Sequence, residues 1–396
     1  MTRVASETSS FRGRLLVESS FQGKLITEVC ATEQGGGPRS GSFDEIIFQG
    51  SSSVAEVAAH FLNRKVLATH RRGKQMWLTL GGNGLQPTFH FGMTGSFAVK
   101  GGESMEYQRY TVDTAVWPPR FCKLELVAED GTRLAFVNSR RLGRVRFFDD
   151  PCAHPPISAL GFDPLLDLPS VASFTAALAS RGQAIKAVLL DQSFSAGVGN
   201  WIADEVVYQA RVHPSHPCRS LTEEEAGRLH DALGSVVGTA VAANADSKKF
   251  PPSWLFHFRW AKGAAGAKDA AGNPIAFVTV GGRTSAVVAA VQGSGKEWKT
   301  RDAMQHIGSH SKPEPKPKAA RSAAKKLPAS GPAVQVAAKR SPKPKAAATK
   351  GSTTVKAVPG DKTQPRPHRG TKRARVAALP TETEATPSRR RSARLK

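Results

Sequence analysis

IKAVLLDQSFSAGVGNWIADEVVYQARVH, residues 185–213, is the stretch whose reading decides the fold. Its centre, Gly197-Val198-Gly199-Asn200, separates two segments of helical character. The spacing predicts one helix over Ala184–Gln192, with Ile185, Val188 and Leu189 on one face and Lys186 off it. It predicts a second over Asn200–Ala210, where Trp201, Ile202 and Val206 recur near the helical period. The two glycines permit a sharp turn and a close approach to a ligand. Asn200 stands where an N-cap belongs, and the free backbone N–H groups behind it favour an anion such as phosphate. Taken alone, the same residues also describe an ordinary corner between two helices.

The whole segment resembles the helix–two-turn–helix signature of the Fpg/Nei family of DNA glycosylases, formamidopyrimidine-DNA glycosylase and its relatives. In that family the matching Lys and Asn hold the DNA backbone, so the resemblance assigns Lys186 and Asn200 to phosphates. Other motifs extend it. Arg71-Arg72-Gly73-Lys74 precedes a strand and would by itself be a solvated basic turn. It is similar to the family's strand-leading Arg-Arg-x-Lys, which implies Lys74 at the rim of the active site as a point charge on a phosphate. Phe89–Ser96, FHFGMTGS, would otherwise be a buried strand with a glycine turn and a gap-filling Met. Its likeness to the family's His-Leu-Gly-Met-Ser-Gly-Ser implies that Met93 fills the hole left by a nucleotide turned out of the duplex.

Ser139–Gly143, SRRLG, reads either as an exposed β-turn or as the family's Pro-Arg-Arg-Phe-Gly turn. The resemblance gives Arg140 the base left unpaired on the opposite strand and gives Leu142 the wedge, a trade of unstacking for access. Leu142 departs from the family's Phe and has no ring to stack. Gly281-Gly282-Arg283-Thr284 falls where the family has a hairpin finger whose Arg grips the phosphate at the lesion, so Arg283 takes that part. Many relatives hold this finger with four zinc cysteines. None occurs here, which resembles the zincless branch of plants and fungi, and no metal or soluble cofactor is expected.

The composition agrees with a DNA partner, unevenly. The chain has 396 residues and a net charge of +24, but 26 of its 56 basic residues and only 6 of its 32 acidic ones lie from Lys296 onwards. The basic surplus therefore belongs mostly to the tail. With Trp298 as its one aromatic, that tail cannot bury enough apolar area to order, and disorder is expected. Lys372-Arg373-Ala374-Arg375 and Arg389-Arg390-Arg391 suit a nuclear import signal, a DNA tether, or both. Cys30, Cys122, Cys152 and Cys218 form no CxxC pair and imply neither a zinc site nor a disulfide framework, which fits a reducing compartment. No apolar run is long enough for a membrane span.

Between Val66 and Phe148, short β segments punctuated by Gly, Pro and Asp argue an antiparallel sandwich or barrel. Helical runs follow from Val171 to Ala243, the last opened by the capping box Thr222-x-x-Glu225. Phe250–Gln292 is again short and turn-rich. The expected class is α+β: an N-terminal antiparallel β-sandwich over 1–150, a helix–two-turn–helix domain over 151–249, a zincless hairpin finger over 250–293 and a disordered basic tail over 294–396.

The resemblance fails at the first residues. The family begins Met-Pro-Glu, its proline amine attacking the sugar C1′ and the Glu acting as acid. Thr2 and Arg3 stand here, and aligning on Gly23-Lys24 puts Ala5 and Ser6 there instead. Either the authentic protein starts differently, or this form lacks the nucleophile. In the second case it binds lesions without cutting, or uses a substitute amine, for which Lys74 is best placed and Arg3, always protonated, is not. The expected function is a bifunctional DNA glycosylase and abasic-site lyase for oxidised purines, 8-oxoguanine and formamidopyrimidines. It would act as a monomer on double-stranded DNA in the nucleus. The alternatives are a non-catalytic damaged-DNA binder and a chromatin tether acting through the tail.

Overall fold

The computed structural model describes residues 6–103, 105–107, 110–263 and 266–294. Thr2, Arg3, and the tail from residue 295 with its two basic clusters lie outside the described residues, all of which fall within the compact unit Met1–Pro315.

Helix α1 (Ser6–Ser20) leads into β1 (Ile26–Cys30), the short α2 (Val54–Ala59) and the strands β2 (Val66–Arg72), β3 (Gln75–Leu80), β4 (Gln86–His90) and β5 (Gly95–Val99). A small hairpin, β6 (Met105–Tyr107) with β7 (Tyr110–Val112), comes next, then β8 (Cys122–Ala128), β9 (Arg133–Asn138) and β10 (Arg144–Phe148). The β6–β7 pair is not legible in the sequence pattern. Two four-stranded sheets, β1-β8-β9-β5 and β10-β4-β3-β2, pair antiparallel throughout, in agreement with the expected sandwich.

Alternation explains the layering: Met76, Leu78 and Leu80 on β3 are buried, while Gln75, Trp77 and Thr79 are only partly so. The core between the sheets is aromatic. Phe89, Phe91, Phe97 and Phe136 meet at centroid separations of 5.0–5.8 Å, mostly edge-on or tilted. Val17 of α1 and Phe21, just after it, join the same core. Each such side chain, fully buried, stabilises the fold by about 1.5–3 kcal/mol.

The helical layer holds α3 (Val171–Ala179), α4 (Ile185–Leu190), α5 (Asn200–Gln209) and α6 (Glu223–Ala242). Thr222 and Glu225 make the anticipated capping box at α6, and three glutamates occupy the positive end of its dipole. Helix α5 is not amphipathic: every residue from Trp201 to Val207 is buried, Asp204 and Glu205 included. Trp201 stacks on Phe250 at 5.6 Å and meets Phe256 edge-on at 5.0 Å. The hairpin of β11 (Ala276–Val280) and β12 (Arg283–Val287), with the turn α7 (Ala289–Gln292) after it, stands on its own small cluster of Leu255, Ile275, Ala286 and Val288.

The sandwich and the helices are fastened at the β2–β3 turn. Gly73 has φ +55° and Gly197 has φ +94°; a Cβ on Gly73 would come within 2.8 Å of the Gly197 nitrogen. Backbone meets backbone there, which only glycine allows. Around that contact Arg71 pairs with buried Asp163 at 2.7 Å, the Gly73 N–H donates to the same carboxylate at 2.7 Å, and Arg72 reaches Asp167 at 2.8 Å. Gly23 also has positive φ but nothing lies within 4 Å of its missing Cβ. Gly73→Ala is therefore expected to lower unfolding stability by more than the about 1–3 kcal/mol of left-handed strain alone. Gly23→Ala should show only that strain, and urea denaturation of the two variants compares them.

Candidate nucleic-acid interface

Three exposed groups converge on one prong. The β4–β5 turn presents Met93, 55% exposed, and the β9–β10 turn presents Arg140 and Leu142, the latter 41% exposed. Arg140 Nη1 lies 3.5 Å from Met93 Sδ. Buried Asn138 binds the two turns together: its Nδ2 donates to Phe91 O at 3.0 Å, and its Oδ1 accepts from the Leu142 and Gly143 N–H groups at 3.1 and 3.2 Å. The glycines on either side have no room for a side chain; a Cβ on Gly92 would fall 2.6 Å from the Leu142 carbonyl carbon. The resemblance assigned Met93, Arg140 and Leu142 to one task, and the fold brings them together. Asn138, which makes this possible, escaped the sequence reading because it ends a strand whose other buried residues are apolar.

A buried charge cluster supports the prong from below. Lys123 contacts Glu33 and Asp44, and Asp44 also takes both Nε and Nη2 of Arg141 at 2.8 and 2.9 Å. Arg141 itself sits at φ +53°, so this bidentate pair holds a left-handed residue between Arg140 and Leu142. Burial alone would raise the Asp44 carboxyl, but hydrogen bonds from Arg141 and Lys123 with their charges outweigh it and hold its pKa down at about 2.

A continuous run of contacts leads from the prong to the hairpin. His90, just before the Met93 turn, pairs with Gln75 beside Lys74. Burial first, then the charges of Lys74, Arg146 and Arg144, push its imidazole down to about 4, so it is neutral at pH 7. Lys74 Nζ donates to Gln192 Oε1 at 3.1 Å and to Val198 O at 3.0 Å. Gln192 also accepts the Gly197 N–H at 3.1 Å and donates to Val198 O at 3.0 Å, so it ties the Gly-Val-Gly turn to Lys74. A nitrogen whose hydrogens are directed at acceptors suits a fixed cation and not the free lone pair that a substitute nucleophile needs.

Two expectations from the sequence are corrected. Asn200 is the first residue of α5, not its N-cap; Gly199 takes the cap position, and the Asn200 Nδ2 donates to Thr284 O at 3.1 Å. Lys186 does not face a phosphate. It is fully buried, 2.6 Å from Asp204 Oδ1, and donates to Thr284 O at 3.1 Å and to Ser285 Oγ at 2.7 Å. A lysine placed off the apolar face of a short helix reads as solvated; here β12 covers it. Arg283 is exposed at the hairpin tip, across from Val280 over the two glycines of a tight turn, both at positive φ.

The chain is similar to known proteins in both the sandwich and the helical layer. Residues 14–145 match the family model described as the formamidopyrimidine-DNA glycosylase N-terminal domain, and residues 160–251 match the H2TH domain of the same glycosylase. The chain is 37% identical over 280 residues to the formamidopyrimidine-DNA glycosylase of Arabidopsis thaliana, covering 70% of this chain and 68% of that protein. It is 37% identical over 180 residues to that of Thermus thermophilus, spanning 60% of the bacterial protein's length. The Thermus crystal structure, at 29% identity, superposes with a TM-score of 0.54 over 72% of this chain and 98% of that one. At 19% identity, the Lactococcus lactis enzyme bound to DNA containing an abasic site shares the fold with a TM-score of 0.54.

The Asp44 geometry carries a pH prediction. Its folded pKa lies below the ordinary 3.8, so the stability it contributes is present above about pH 4 and is lost as pH falls toward about 2. Unfolding free energy measured against pH should therefore drop less steeply between pH 4 and 2 in Asp44→Asn than in the unsubstituted protein.

Proposed function

Because the chain belongs to the formamidopyrimidine-DNA glycosylase family, we propose that it is a DNA glycosylase of base excision repair that removes oxidised purines and cleaves the resulting abasic site. The observation that carries this reading is the prong, Met93 with Arg140 and Leu142, joined through His90 and Lys74 to Asn200 and Arg283. Exposed apolar groups beside an arginine are costly in water but suit an opened duplex. Met93 enters the gap left by the extruded nucleotide and Leu142 separates the opposite stack, at a few kcal/mol per unstacked step. Arg140 donates to the orphaned base. Lys74 and Arg283 neutralise backbone phosphates on either side of the bend, Asn200 sets the hairpin, and the exchange of counterions for these cations favours binding.

The β11–β12 hairpin acts as the phosphate-gripping finger. What supports a finger without zinc is the apolar cluster of Leu255, Ile275, Ala286 and Val288 beneath it, together with the lack of any cysteine after Cys218. The two basic clusters, Lys372–Arg375 and Arg389–Arg391, support a nuclear location.

One second reading has an observation in its favour. Thr2 and Arg3 stand in place of the family's Pro-Glu, and Lys74 is engaged with Gln192 and Val198, so a damaged-DNA binder without lyase chemistry fits the same prong. Borohydride reduction on duplex DNA containing an abasic site separates the two. We expect a covalent adduct, formed through the α-amine at the chain's N-terminus and expelling water from the opened sugar aldehyde, that survives Lys74→Ala. Loss of the adduct in that variant would make Lys74 the nucleophile, and selective binding with no adduct at all would favour the binder.

A further inference from the structure

Asp204 sits at the centre of the only described contact between α4, α5, the 255–262 loop and β12 that is built from buried charges. Its Oδ1 lies 2.6 Å from Lys186 Nζ, and its Oδ2 accepts Arg259 Nη2 at 2.5 Å and Nε at 3.2 Å. The side chains are 0%, 0% and 5% exposed. The same Oδ2 faces the Ala286 N–H at 3.4 Å. Lys186 then reaches over to Thr284 O and Ser285 Oγ, Asn200 Nδ2 shares Thr284 O, and Lys262 Nζ donates to Thr284 Oγ1 at 3.1 Å.

The three residues after Arg283 are thus each gripped by polar contacts, whereas before it lie only Gly281 and Gly282. On that side Val280 pairs with Arg283 through the backbone alone and the two glycines offer no side chain, so the side-chain contacts that tie Arg283 to the helices lie on its C-terminal side. One carboxylate also serves two cations, with buried Glu205 the next acid to act on Arg259. Such a cluster is costly by comparison with apolar packing, and removing one member strands the others. Bland stabilisation is a poor reason to keep it where Leu255, Ile275 and Ala286 already form a core.

We propose that Asp204, Lys186 and Arg259 are positioning residues that aim Arg283, acting through Thr284, Ser285 and Ala286, and that this internal ion cluster does for the hairpin what a cross-link would. The inference rests on the phosphate grip of Arg283 argued above. It reassigns Lys186 from DNA contact to control of that contact.

The test is a double-mutant cycle in binding, with duplex DNA carrying a tetrahydrofuran abasic analogue as the probe. Ser285→Ala removes one hydroxyl and leaves the core untouched; Lys186→Met removes the ammonium at similar volume. Ser285→Ala is expected to raise Kd about threefold, and Lys186→Met and Arg283→Ala about tenfold each. If the cluster acts through Arg283, Ser285→Ala added to Arg283→Ala weakens binding no further. The slope of log Kd against log salt should fall by about one phosphate contact in Arg283→Ala and Lys186→Met and by part of one in Ser285→Ala, an effect that a mere loss of stability does not produce. Additive effects of Ser285→Ala and Arg283→Ala, or an unchanged salt slope in Ser285→Ala, overturn the inference while leaving the phosphate grip intact. No weakening by Arg283→Ala overturns the grip itself and the inference with it. Should Lys186→Met fail to fold, the Ser285→Ala cycle decides alone.

Discussion

The contact between Gly73 and Gly197 constrains everything else in the interface. It brings the β2–β3 turn against the Gly-Val-Gly turn closely enough that Lys74, one residue after Gly73, reaches Val198 O and Gln192. Asn200 follows two residues later, and its side chain reaches the hairpin at Thr284. Three parts of the chain more than 80 residues apart in sequence are thereby held at hydrogen-bond distances. Arg71 and Asp163, both almost wholly buried, supply the electrostatic half of that junction, and the two glycines supply the room. An ion pair so placed gives specificity of docking more surely than it gives stability.

Buried charges recur under exposed ones. The Glu33–Asp44–Lys123 cluster lies under the turn that presents Arg140, and the Lys186–Asp204–Arg259 cluster lies under the hairpin that presents Arg283. In each case hydrogen bonds from charged groups, individually stronger and more directional than neutral ones, help to fix the turn above them. Glu205 does the same for the loop between α6 and the hairpin: it accepts the Leu255 and Phe256 N–H groups, and burial pushes its pKa up to about 7. Arg140 and Arg283 are exposed; the charged residues beneath them are buried.

This division explains which residues could be read early. Met93, Arg140, Leu142 and Arg283 sit in short motifs bounded by glycine, and a motif survives in the sequence as a string. Asn138, Gln192 and Asp204 act through partners distant in sequence, up to 118 residues in the case of Gln192 and Lys74. Helical periodicity locates α5, but a helix buried on all sides has no polar face to mark, so nothing in the pattern singles out its two buried acids. It misleads on Lys186: the face it labels as exposed is covered by β12.

The sequence by itself determined the antiparallel sandwich, the order of the helices and the capping box at Thr222. These follow from alternation, helical spacing and turn chemistry, which act over a few residues at a time. Only the tertiary structure decided that Lys186 is an internal tie, that Gly199 and not Asn200 caps α5, and that Lys74 is a held cation. Each of those depends on which surface comes to cover a side chain, and coverage is a property of the packed chain that no local pattern contains.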